Sequence, residues 1–138
     1  MTPMLDEAQK LLRMAKADYE VFAYLKPAVH LRDAIVLFHA QQAIEKMLKA
    51  VLTAHEIPFG RTHNLLALAA LLEQSGIVTP ETSDEVAVLN PYAVLFRYDD
   101  EDIALVTRDE ANRMVASISK WADDLIVKLL TQYENHRI

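Results

Sequence analysis

Between Pro27 and Pro58 the chain contains neither proline nor glycine, and the segment is apolar around most of a helical circumference. A half-buried strand would alternate with period two, and a surface helix would show one apolar stripe. This segment does neither. It is read as the most buried helix of the domain, about Val29 to His55, and the rest of the chain must pack around it. The wider sequence agrees. With 2 glycines and 5 prolines, turns are few. No run sustains the alternation of a strand.

Four more helices are expected. The first runs from about Met4 to Leu25, with Leu5, Ala8, Leu12, Ala15, Tyr19 and Phe22 on one face. Thr2 is its N-cap, Pro3 opens it and Pro27 ends it. The third starts near Thr62, covers His63 to Gln74 and stops at Gly76. The fourth starts at Thr79–Pro80 and is interrupted at Asn90–Pro91, with a short helical piece from Tyr92 to Phe96 beyond. The acidic run Asp99 to Asp102 is a solvated loop. The fifth opens with Thr107–Arg108–Asp109–Glu110, the pattern of a capping box. It continues through Met114, Ile118, Trp121, Leu125 and Leu129 to about Tyr133, and the tail after it frays. Short connections between such helices imply an all-α, up-and-down antiparallel bundle of about five helices in one domain, 1–138.

Composition narrows the function. There are 138 residues and no cysteine, which removes disulfides, thiolate metal sites and cysteine nucleophiles. No histidine pair has metal-ligand spacing, and two glycines cannot build a phosphate loop, so no metal and no cofactor are expected. No signal peptide or membrane span is read, and a cytoplasmic chain is expected. The net charge is -6. It is uneven: residues 1–63 carry eight Lys/Arg and seven Asp/Glu, residues 64–138 six and thirteen. An anion site must therefore be local, and the first half is the place for it.

The central helix offers such a place. At about 100° per residue, Arg32, His39, Gln42, Lys46, Lys49 and Thr53 fall in one sector of roughly 100°. They form a basic row without a central carboxylate. Glu45 lies at its margin, four residues before Lys49, and can pair with it. The opposite face, with Leu37, Phe38, Ile44, Leu48 and Val51, turns inward. The row is either the wet face of an amphipathic helix or a groove for an anionic group such as a nucleotide phosphate.

The stretch FHAQQAIEKMLKAVL, with Ala40, Ala43, Glu45, Lys46, Lys49 and Ala50, is followed by Thr62–His63 and Leu65 and later by Arg97–Tyr98. In order and spacing these pieces resemble the HEPN (higher eukaryotes and prokaryotes nucleotide-binding) domain family. The resemblance implies a helical bundle, frequently dimeric, that often works with a minimal nucleotidyltransferase as a two-component or toxin–antitoxin unit. Some members are metal-independent ribonucleases with an R-x4-6-H motif near the start of a late helix. This sequence departs there, since no arginine in its second half has a histidine at that distance. Arg32 and His39 match the spacing, but on the wrong helix and about 10 Å apart along its axis.

The expected function is thus a HEPN-type module that binds a nucleotide, or the substrate of a partner nucleotidyltransferase. Arg32, His39, Gln42, Lys46, Lys49, His63, Arg97 and Tyr98 are the candidate ligand-binding residues, none of them catalytic. Its partners would be a nucleotide or RNA, the nucleotidyltransferase in trans and a second copy of the chain. Two alternatives stand beside it: a ribonuclease toxin with a non-standard site at Arg32, His39 or Arg97, and a purely structural dimerisation module.

Overall fold

The computed structural model describes residues 2–94 and 106–136. The expected Tyr92–Phe96 piece beyond residue 94, the Asp99–Asp102 loop, and both Arg97 and Tyr98 lie outside the described residues. Among the described residues five α-helices are present, α1 Pro3–Leu25, α2 Asp33–Ala54, α3 Leu65–Gln74, α4 Ser83–Ala87 and α5 Arg108–Asn135, with a 3-10 turn at Asn90–Ala93. No strand occurs among the described residues. The all-α bundle is as expected.

α2 is the axis of the fold. From Ala34 to Thr53 fourteen of its side chains are buried, and none of its residues is fully exposed. α1 lies against it antiparallel. Both helices carry small side chains that are fully buried, Ala8 and Ala15 on α1 and Ala40, Ala43 and Ala50 on α2, and such side chains let backbones approach closely. α5 starts where α1 ends and α2 begins, because Arg108 reaches both, so it runs antiparallel to α1. Lys26–Asp109 at one end and Lys16–Asp123 further along mark that register. α3, α4 and the 3-10 turn carry the chain back along the remaining side, where Leu65, Leu68, Leu72 and Tyr92 complete the core. No helix among the described residues is long and apolar enough to cross a membrane.

Several helix ends differ from expectation, each for a visible reason. α2 starts at Asp33 rather than Val29, because Arg32 is extended and residues 26–31 are turns. The guanidinium of Arg108 holds that segment. It donates to the carbonyls of Lys26 and Ala28 at 2.9 Å and of Leu31 at 2.6 Å, and its Nε donates to Asp33 at 2.8 Å. At the other end α2 stops at Ala54, before Pro58, with His55 as its C-cap and Glu56 just beyond it at φ +56°. Ile57 N–H donates to the Leu52 carbonyl and Glu56 N–H to that of Thr53, the paired bonds of a Schellman stop. α3 ends the same way at Gly76, φ +78°.

α3 begins at Leu65, and its cap is Asn64 rather than Thr62; the Asn64 carboxamide oxygen accepts from Leu66 and Ala67 N–H. α4 is capped by Thr82 in a box with Glu85, not by Thr79, whose hydroxyl donates to the Glu81 carbonyl instead. The Thr2 cap of α1 and the Thr107–Glu110 box of α5 are as expected. On α5 the buried face is Ala111, Met114, Val115, Ile118, Ala122 and Ile126. Trp121 and Leu125 are only half-buried at its border, and the Trp121 indole donates to the Val78 carbonyl at 2.8 Å. Tyr19 and Phe38, expected inside, are half-buried as well.

Candidate functional site

A helix buried on nearly all sides must satisfy every polar group it carries. α2 does so through Glu45, which is 3% exposed. One carboxylate oxygen accepts from Gln41 Nε2 at 3.2 Å and bonds His63 Nδ1 at 2.9 Å. The other accepts from Lys49 Nζ at 3.2 Å. Gln41 also donates to the His63 carbonyl at 3.2 Å, and Gln42 donates to Gln41 Oε1 at 2.7 Å. Lys49 Nζ stands 5.8 Å over the Phe59 ring. Among the described residues no buried side-chain nitrogen or oxygen lacks a partner.

This junction ties the 55–64 connection to the middle of α2. Asn90 completes the anchoring, accepting from Leu65 N–H at 2.8 Å and donating to Asn64 Oδ1 at 3.0 Å. The imidazole of His63 is thereby held by one nitrogen while most of its side chain, 71%, stays in solvent. When Nδ1 carries the proton and donates to Glu45, Nε2 is left as an outward acceptor.

The rest of the polar sector lies along the same helix. His39, Gln42, Lys46 and Lys49 are half-buried, not open. Lys46 Nζ forms an ion pair with Asp18 of α1. Burial lowers the His39 pKa from its ordinary value; nearby Asp18 opposes that shift and Lys46 adds to it. Its ring meets Phe38 edge to face at 5.2 Å.

The open cationic row expected from the sequence is therefore corrected. Lys46 is neutralised by Asp18 and Lys49 by Glu45. Arg32 sits in extended backbone ahead of the helix, and Thr53 is buried. What remains is a nearly neutral polar seam on α2, between its Lys46–Asp18 pair with α1 and its Glu45–His63 bond to the 55–64 connection. It brings together His39, Gln42, Lys46, Lys49 and His63, with Arg97 and Tyr98 outside the described residues. Gln41 and Glu45 were not among the expected site residues, though they organise it. Their i,i+4 spacing was visible; their contact with His63, 18 residues beyond Glu45, was not.

Chemically, the seam offers mixed donors and acceptors rather than clustered positive charge. It suits polar heterocycle or sugar groups better than a row of phosphates. Among the described residues no group of three or more histidines and carboxylates could hold a metal ion.

No curated protein and no solved structure matches the chain. A family model does: the HEPN domain model matches residues 6–123.

Proposed function

The chain belongs to the HEPN family, and from that premise we propose that it is the non-catalytic helical partner of a minimal nucleotidyltransferase. In this reading it works as a homodimer and holds a nucleotide, or the transferase's substrate, along the seam from His39 to His63. The observation that carries it is the Glu45 junction. A buried carboxylate fixes Lys49 and His63, both in the segments that carry the family resemblance, and leaves His63 presented to solvent. The lack of an R-x4-6-H motif in the second half of the sequence argues against the ribonuclease branch.

The near-neutral balance of the seam refines the ligand. Recognition would come from base and sugar groups meeting Gln42, His39 and His63, with the phosphates pointing away. Thermal-shift measurements with a panel of nucleosides and nucleotides test this, together with copurification with a coexpressed nucleotidyltransferase from the neighbouring reading frame. Stabilisation by a nucleoside that is lost in Gln42→Ala and His63→Ala supports the reading. No shift with any of them, and no partner retained, overturns it. RNA cleavage abolished by His39→Ala would favour the ribonuclease alternative instead.

A further inference from the structure

The inward side of α1 is accounted for by Leu5, Ala8, Leu12, Ala15 and Phe22. Its outward side is not. Lys10, Met14, Ala17, Val21 and Tyr24 lie within a sector of about 80° and are all exposed. Met14 is 44%, Val21 41% and Tyr24 83% exposed. Isolated exposed apolar residues are ordinary, but four in one helical row make a stripe.

The charges beside the stripe say what covers it. Lys10 and Arg13 precede Ala17, and Glu20 follows it. None of the three forms an ion pair or a hydrogen bond with another described residue. Arg13 and Glu20 lie on the same flank of the stripe, the flank toward α5.

We propose that this face of α1 docks against the same face of a second copy, antiparallel about a two-fold axis at Ala17. Such an axis opposes residues at nearly equal distances before and after Ala17, with about one residue of offset, roughly 1.5 Å, between the inner partners. Arg13 then meets Glu20 of the second copy, and Lys10 meets its Tyr24. Met14 meets Val21, and Ala17 meets Ala17, the smallest side chain of the stripe at the point of closest approach. Because the axis keeps each flank on its own side, the Arg13–Glu20 pair forms twice. The contact is isologous and closes as a dimer. A cavity of about 380 Å³ between α1 and α5, lined in part by Glu20, Ala23 and Asn112, opens on that flank and leaves room for the incoming arginine stem.

The inference rests on the homodimer in the reading above and adds its surface. Sedimentation velocity on the whole chain tests it, with Arg13→Glu, the double swap Arg13→Glu/Glu20→Arg, and Val21→Asp. The wild type should be a dimer. Arg13→Glu opposes like charges twice and should raise the dissociation constant roughly tenfold or more. The double swap restores the pairing and should restore the dimer, while Val21→Asp should leave monomer. All three positions are on the outer surface, so unchanged circular dichroism verifies that each variant is folded. A dimer indifferent to all three variants would overturn this face and leave the homodimer standing. A monomeric wild type would overturn both.

Discussion

Replacing Glu45 by alanine should cost the fold more than any other single change in the polar network. The carboxylate accepts one charge-assisted bond, from Lys49, and two further bonds, to Gln41 and His63. Taking about 2 kcal/mol for the charged bond and about 1 kcal/mol for each of the others gives about 4 kcal/mol. Part of that is recovered because the Lys49 stem is flexible and can carry its ammonium to water. A net loss of about 3 kcal/mol is therefore expected, near the lower end for breaking a buried pair. With an unfolding entropy of about 2.1 cal/mol/K per residue, the whole chain has about 0.3 kcal/mol/K, so Tm should fall by about 10 °C. Urea and thermal denaturation followed by far-UV circular dichroism at neutral pH measure both. The double variant Glu45→Leu/Lys49→Met removes charge and counter-charge together and should recover at least half of the loss, since an apolar pair of similar size needs no partner. A loss below about 1 kcal/mol for Glu45→Ala would refute the reasoning, because it would mean that the junction does not hold the 55–64 connection to α2.

Four other outcomes are expected. Arg108→Ala should cost about 2–3 kcal/mol, with hydrogen exchange accelerated over residues 26–33, because its guanidinium holds three carbonyls and Asp33. Asn64→Ala should cost about 1 kcal/mol in urea denaturation and Thr62→Ala only a few tenths, since Asn64 is the cap that bonds the first turn of α3. Glu56→Gly should raise the melting temperature, gaining about 1 kcal/mol by placing glycine at φ +56°. His39 makes stability depend on pH. Its folded pKa is below the ordinary 6.5, so the unfolded chain takes up a proton first. Its contribution is therefore complete above about pH 6.5 and is lost as the pH falls toward the folded value. Melting curves from pH 7.5 down to 5.5 should show a weaker fall in His39→Gln than in the wild type, and an NMR titration of His39 should place its midpoint below 6.5.

Much of this molecule can be read locally. The Thr107–Glu110 box and the Thr2 cap form from residues three apart, so a single turn of chain decides them. The heptad-like spacing on α1 names its buried face correctly except for Tyr19, which sits at the border. Where local signals competed, the reading went astray. Thr62 and Asn64 are both good caps, and Asn64 takes the role while Asn90 braces it from 26 residues away. Thr79–Pro80 is a sound helix start in isolation, yet Thr82 and Glu85 close a two-way box there and win. Val29 to Arg32 has a helical pattern, but Arg108 binds the carbonyls of Lys26, Ala28 and Leu31 and so holds the segment in turns.

The same division holds at the site. That α2 is central, and that His39, Gln42, Lys46 and Lys49 share one of its sides, follows from a period of 3.6 residues acting on one segment. Whether that side carries net charge does not follow. Asp18 and Lys46 are 28 positions apart, and only the antiparallel packing of α1 on α2 makes them partners. Sequence alone determined the order of the helices, the central place of α2, most of the inward face of α1 and the family, because periodicity and capping act within a few residues. Tertiary structure alone decided the electrostatics of the seam, because Coulomb energy depends on distance through space, which the chain order does not supply.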